Sequence, residues 1–446
     1  MLHHDHDPSS RAARTPVLLQ HHYRTLGLTA LGGSLELFDF VVFVFFVPVL
    51  SQVFFPPDIP HWLAQLQTFV VFAVGFFARP FGGVLFAHFG DRTGRKRTFT
   101  FTVTLIACAT FGIACLPTYA QIGILAPLIL ALLRLLQGAA VGGEVAGGYL
   151  FGAEHVPDSR RGTACGLVAA GMTCGVLAGV AVAAVIHHTL SDADIRAWGW
   201  RLPFLLGGIF GLLTLYMRRH LHETPVFRAL EAERALAVTL PLGEVLRAHP
   251  RAILLSVLTF WTFIGHFVVL GLMGPSLLQG LFQIPAAQAL NIGSLGSAAT
   301  ILGCLVSGRL FDALGQARAL VLACCLALCA DLTFFFGAPL APGLMVPLFI
   351  LAAFGGGLLG AVSVIMIRSF PPRVAYSGVS LSLNLVSGII AGLTPIALTA
   401  ALLALPSAPA WYLAAVCLMG ATVGLWLWRA EDRAARGDTR GAAETA

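Results

Sequence analysis

Gly90-Asp91-Arg92-Thr93-Gly94-Arg95-Lys96-Arg97 is a tight, heavily basic turn set between two long apolar stretches. Its skeleton, Asp-x-x-Gly-x-x-Arg, returns as Asp312-Ala313-Leu314-Gly315-Gln316-Ala317-Arg318, again between apolar stretches. Asp91 and Asp312 are 221 positions apart (312 less 91), close to half of the 446 residues. A turn repeated at half the chain length implies a duplicated unit. A duplicated unit built of apolar segments implies a polytopic membrane protein of the kind that moves solutes.

Composition agrees. The chain is 57% hydrophobic and 11% charged, with a mean hydropathy of +0.85. Soluble domains carry about 25% charged residues. The segments are too long and too evenly apolar for barrel strands, so the class is all-α and membrane-spanning. The net charge is +6, but the basic residues gather at segment ends. There they serve topology and anionic lipid, and no basic-aromatic pattern suggests nucleic acid. The nine cysteines fall in apolar stretches and are expected to be small buried side chains, neither disulfides nor zinc ligands. His3, His4 and His6 read as part of a tail. No cleavable signal pattern follows them, because the first apolar segment is already a full span.

Twelve spans are expected, near 26–48, 66–90, 98–116, 121–148, 162–188, 198–217, 251–275, 289–310, 318–338, 343–367, 377–404 and 409–429. The polar stretch 218–250 divides them. The organisation is a tail 1–25, a six-helix bundle 26–217, a central loop 218–250, a second bundle 251–430 and a tail 431–446. With both termini in the cytoplasm, the inner segments hold Arg11, Arg14, Arg24, Arg92 to Arg97, Arg160, Arg161, Arg309, Arg318, Arg368 and Arg373. The outer loops hold Arg196, with Arg201 at a span edge. That asymmetry supports the count and the orientation.

The residues resemble the major facilitator superfamily, and within it the metabolite:proton symporters. The first basic turn is similar to the superfamily loop motif. Glu36-Leu37-Phe38-Asp39-Phe40, Arg79-Pro80, Arg134-x-x-Gln137-Gly138, Gly142-Gly143-Glu144, Trp198-Gly199-Trp200-Arg201-Leu202-Pro203-Phe204 and Glu223-Thr224-Pro225 continue the match. So do Tyr376-Ser377-Gly378, Asn384 and Gly392-x-x-Pro395. The resemblance covers residues 26–430. It implies two pseudo-symmetric six-helix halves that alternate access to a midplane site, in a bacterial inner membrane. The implied solute is a small organic acid (citrate, a dicarboxylate, 2-oxoglutarate or a shikimate-like acid) carried with protons. The alternatives are a zwitterionic compatible solute such as proline or betaine, or a sensor that binds without transporting. Osmosensing members often end in a heptad tail, and the polar tail after Trp428 has no heptads. No nucleophile elbow, zinc motif or phosphate-cradling loop suggests an enzyme. No cofactor is expected beyond the proton gradient, and a monomer is expected to suffice.

Charges inside the spans are candidates for chemistry. Glu36, Asp39, Arg79 and Arg134 fall mid-span in the first half, where each costs about 2.5–3.5 kcal/mol if left facing lipid. They are expected to face the bundle interior, with Glu36 and Asp39 on one helical face. An arginine fork suits a carboxylate, and a nearby acid can carry the coupling proton. Arg134, Arg79, Gln137 and Asn384 are therefore candidate solute contacts, and Asp39, Glu36 and His266 candidate proton carriers. Asp331 is also mid-span, with Thr333 as a conceivable partner. Glu144 lies about 15 Å beyond Arg134 toward the cytoplasm. With Asp91 and Arg95 it forms a candidate inner gate. The second turn lacks the basic residues of the first and is expected to gate weakly.

Overall fold

The computed structural model describes residues 20–93, 95–142, 144–219, 242–371 and 374–443. All regular structure among them is helical. Ten helices are long and apolar enough to cross a membrane, a bent pair supplies an eleventh crossing, and the shorter apolar helix Phe101–Cys115 falls where a twelfth is expected. In chain order α1 is Gln20–Phe45 continued as Val47–Phe54, α2 His61–Thr93 and α3 Arg95–Cys115. α4 is Leu125–Val141 continued as Glu144–Glu154, α5 Arg161–Thr189 and α6 Leu202–Arg219. In the second half α7 is Pro250–His266, a π-helical stretch Phe267–Leu272, and Gly274–Phe282 after a break at Met273. α8 is Ala286–Leu314, α9 Gln316–Leu340 and α10 Met345–Gly357 with Ser363–Ser369. α11 is Ala375–Leu385, π-helical Val386–Ala391 and Gly392–Leu402, and α12 is Ala408–Ala443.

The chain forms two pseudo-symmetric halves. α1 packs on α5 and α6, and α2 on α4. In the second half α7 and α9 pack on α12, and α8 on α10. The halves meet along two seams, α5 against α8 and α2 against α11. Large apolar side chains such as Phe81, Ile124, Leu340 and Trp426 point outward, as a lipid environment allows. Small residues set the close crossings. A Cβ on Gly138 would overlap the Gly75 carbonyl of α2, and one on Gly166 would meet the Cys304 carbonyl of α8 at 2.5 Å.

Prolines mark the symmetry. α1 bends by 64° at Phe46, and Pro48 follows two residues on. Proline lacks an amide hydrogen and its ring crowds the previous turn, so the helix cannot run straight. α7 breaks at Met273, and Pro275 again follows two residues on.

Three expectations change. Five of the nine cysteines are exposed on the helix surfaces rather than buried: Cys108, Cys115, Cys174, Cys325 and Cys329. A thiol is apolar enough to face lipid. α12 runs on to Ala443, through most of the segment read as a polar tail. The partner of Asp331 is not Thr333, whose hydroxyl donates to the Cys329 carbonyl of its own helix.

Candidate functional site

Among the described residues, the buried acidic, basic and imidazole side chains are Glu36, Asp39, Arg79, Arg134, His266 and Asp331. Four lie in the first half. The α1 face that carries Glu36 and Asp39 also carries Phe40 and Phe43, four and seven residues after Glu36. Those rings meet Phe72 and Phe76 of α2, so an aromatic cluster surrounds the charges.

Arg134 is fully buried in this cluster. Its guanidinium sits 4.4 Å from the Phe40 ring centroid, 4.6 Å from Phe43 and 5.1 Å from Phe72. Such cation–π contacts strengthen when water is excluded. Nη2 donates to the Phe40 carbonyl at 3.1 Å, and Nη1 to Gln137 Oε1 at 2.9 Å. Gln137 Nε2 donates to Thr110 Oγ1 at 2.6 Å, and Thr110 Oγ1 donates to Asp39 Oδ2 at 2.6 Å. A continuous chain therefore joins guanidinium to carboxylate through an amide and a hydroxyl. Asp39 Oδ1 has no donor and lies against Gly207 of α6. Arg79 sits one layer away, over Phe40 and Phe76 at 5.6 and 5.4 Å, with Glu36 as its electrostatic partner.

Among the described residues, the second half holds one buried acid–imidazole pair. His266 Nδ1 meets the Thr262 carbonyl at 2.7 Å, so that nitrogen is the donor. Nε2 lies 2.9 Å from Asp331 Oδ2, and Cys417 Sγ is 3.6 Å from the same nitrogen. These three ligand-type atoms lie within 4.8 Å of one another. Asp331 Oδ1 has no donor. Between the halves, mid-seam, is a cavity of about 10 Å³, room for about one water. Thr173 and Val176 of α5 wall it on one side. His266, Phe267, Ser297 and Thr300 wall it on the other.

Hydrogen bonds cross the seam at both ends. At the end carrying the repeated turns, Asp312 caps the start of α5. Its Oδ1 accepts from the Gly162 amide at 2.8 Å, and its Oδ2 from the Thr163 amide and hydroxyl at 3.0 and 2.5 Å. A carboxylate there also complements the positive end of the helix dipole. Arg368 donates to the Asp158 carbonyl at 3.1 Å, across the same seam. At the opposite end Asn291 of α8 and His188 of α5 are 2.8 Å apart. Among the described residues, the second turn thus ties the halves through its acid. The sequence signal was the retained Asp312 itself, not the basic residues around it.

The expected solute contacts are not gathered at the cavity. Arg134 and Gln137 are committed to the first-half network, and Arg79 to its rings. Asn384 donates to the Gly142 carbonyl of α4 at 2.6 Å, bridging the halves. Of the expected proton carriers, Asp39 and Glu36 share the first-half cluster and His266 stands alone across the seam. The side chains of Asp91, Arg95 and Glu144, the expected inner gate, lie outside the described residues. Missed by sequence reading were Thr110, which links Asp39 to Gln137, and the wall residues Thr173, Ser297 and Thr300. Hydroxyls inside spans are common, and nothing in their spacing distinguishes them.

A sequence model described as Major Facilitator Superfamily matches residues 29–395. The chain belongs to the major facilitator superfamily. Its relatives include the "Glycine betaine/proline/ectoine/pipecolic acid transporter OusA" of Dickeya dadantii, 31% identical over 94% of this chain and 86% of that one. A "Putative proline/betaine transporter" of Staphylococcus aureus is 30% identical over 89% and 86%. The "Inner membrane metabolite transport protein YhjE" of Escherichia coli is 32% identical over 83% and 86%. In fold, the chain is similar to the proton:xylose symporter XylE bound to 6-bromo-6-deoxy-D-glucose, with a TM-score of 0.73 and 18% identity over 92% of this chain and 96% of that one. The twelve segments and the two halves are therefore those of a superfamily transporter, a multi-pass membrane protein.

Proposed function

We propose that this transporter carries a small zwitterionic solute of the betaine or proline type together with protons. The reading rests first on the relatives, two of which are named as proline or betaine transporters and align over most of their length. The side chains point the same way. An anionic solute needs a cation that can reach it. Arg134 is enclosed by three rings and bonded to Gln137 and Phe40, and Arg79 lies against two rings. The seam cavity offers hydroxyls, an imidazole and the Phe267 ring instead. A zwitterion carries its own countercharge, so its carboxylate asks the site for hydrogen-bond donors in place of a fixed cation, and a ring face suits a quaternary ammonium. The organic-acid reading thereby loses the arginine on which it depended.

In the proposed cycle the solute binds at the seam and the two halves rock about it. Asp39 is the proton carrier of the first half. Oδ2 is held by Thr110, and Oδ1, which has no donor, is where the proton sits. Loss of that proton leaves a carboxylate that faces Arg134 electrostatically, through Thr110 and Gln137. Gain of the proton weakens the hold on Arg134 and loosens α1 from α4. The turns with Asp91, Arg95 and Glu144 are proposed to face the cytoplasm and to close the inner side with Asp312.

Uptake into proteoliposomes tests this. With the interior made alkaline, labelled glycine betaine and proline should accumulate, and citrate and 2-oxoglutarate should not. Accumulation of a carboxylate without betaine would restore the organic-acid reading. Betaine uptake indifferent to the proton gradient would remove the coupling.

A further inference from the structure

We infer that His266 and Asp331 form a second proton-binding site, pseudo-symmetric with the Asp39–Thr110 pair, so that each half of the transporter carries one coupling proton. The inference rests on the proposed proton-coupled function and adds to it a site in the other half.

The symmetry is read from landmarks independent of the pair. Asp39 stands seven residues before the break at Phe46 and nine before Pro48. His266 stands seven before the break at Met273 and nine before Pro275. Thr110 follows Asp91 of the first turn by nineteen residues, and Asp331 follows Asp312 of the second turn by nineteen. Both registers therefore coincide. In the first half the α1 residue is the acid and the α3 residue its hydrogen-bond partner, 2.6 Å away. In the second half the acid has moved to α9, and the α7 residue is the imidazole, 2.9 Å away. The same two helix positions face each other, with the acid exchanged between them.

The chemistry fixes how many protons the pair holds. Nδ1 donates to the Thr262 carbonyl and keeps its proton. One further proton lies between Nε2 and Asp331 Oδ2. Whether it is written on nitrogen or on oxygen, the pair is neutral as a whole. Removing it leaves imidazole and carboxylate with net charge −1, both buried, with Asp331 Oδ1 already lacking a donor. A lone charge is costly there, so the proton stays while the site is dry. His266 is also a wall of the seam cavity, the space that alternating access must open to water. Water arriving there can take the proton from Nε2. The Cys417 thiol, 3.6 Å away, can then donate its S–H to that nitrogen in place of the lost hydrogen bond. The other titratable groups facing His266 come from α12. Cys417 is itself beside Cys324 of α9, and Tyr412 is held by Trp261 Nε1 at 3.0 Å and Thr394 at 3.1 Å. None of these is a carboxylate or a fixed cation, so Asp331 alone supplies the charge partner.

The test is the ratio of protons to solute. In proteoliposomes it is obtained from the membrane potential at which the net flux of labelled glycine betaine reverses at a set pH gradient. Wild type is expected to carry two protons per betaine. Asp331→Asn, which does not line the cavity, should lower the ratio by one while exchange of labelled for unlabelled betaine stays within about twofold of wild type, and His266→Gln should lower the ratio by one whatever it does to exchange. Interchanging the pair, His266→Asp with Asp331→His, should restore the ratio. A wild-type ratio of one overturns the second site without touching the proposed function and needs no variant to fold. A ratio of two that persists in Asp331→Asn with exchange intact overturns the assignment to this pair. A ratio of zero removes both the site and the coupling on which it rests.

Discussion

Thr110 is the residue on which the first-half network turns. Its one hydroxyl accepts from Gln137 and gives its single proton to Asp39 at 2.6 Å, with the Ile106 carbonyl at 2.9 Å as the competing acceptor. Thr110→Val keeps the shape and leaves Gln137 Nε2 and Asp39 Oδ2 unsatisfied, at about 1–3 kcal/mol for each buried group. The expected outcome is a lower melting temperature in detergent and loss of gradient-driven accumulation, with Thr110→Ser recovering both. An unchanged Thr110→Val would mean that the chain of hydrogen bonds carries neither stability nor coupling. Arg134 is a second case. Removing it takes the donor from Gln137 Oε1 and the cation that Asp39 faces through Gln137 and Thr110, and each buried acceptor left unsatisfied costs about 1–3 kcal/mol. Arg134→Lys should also fail, because an ammonium cannot donate in two fixed directions while lying flat against rings. Detergent melting curves of both variants beside wild type are the check, and a lysine variant as stable as wild type would contradict the fork geometry.

At the scale of the helix, the close crossings and the breaks share a cause. Backbones approach where a side chain is missing and bend where a hydrogen bond is missing. Gly138 lies on the Gly75 carbonyl, so Gly138→Ala must push α4 from α2 and disturb Arg134, one turn earlier. A cost of about 1–3 kcal/mol is expected from overpacking, whereas Gly280→Ala, where a Cβ meets open space, should be silent. Equal melting temperatures for the two variants would mean that the crossing tolerates a methyl group and does not set the helix separation. Pro48 and Pro275 are the corresponding device for bending. They place Asp39 and His266 at equal distances below a break. This equivalence was present in the sequence but had no meaning until the breaks themselves were located.

For the molecule as a whole, the halves are joined unequally. The α5–α8 seam is tied at one end by Asp312 on the start of α5 and at the other by His188 and Asn291. Asp312→Asn halves the acceptor set and removes the charge facing the helix dipole, worth about 0.3–1 kcal/mol for the dipole alone. Spin labels placed on α5 and α8 at that end should report a longer mean separation in the variant. An unaltered distance distribution would mean that α2 and α11 hold the end closed unaided.

Length, periodicity and charge were enough to determine the all-helical membrane class, the duplication, the order and approximate place of the spans and the six buried ionisable residues, though not where the longest helices end. The physical reason is that lipid tests each helix by its own composition, residue by residue, and a mid-span charge is costly wherever its partner sits. Partners were decided only in three dimensions. Nothing local says that Asp331 meets His266, that Thr110 stands between Asp39 and Gln137, or that Arg134 is enclosed by rings from two helices. Those contacts join residues 27 to 94 positions apart, and their geometry is set by where glycines let helices touch and prolines let them turn. The repeated turn showed that the chain has two halves. Only the packed structure showed that both halves hold a buried polar pair at the same two places, and that the acid has changed helices between them.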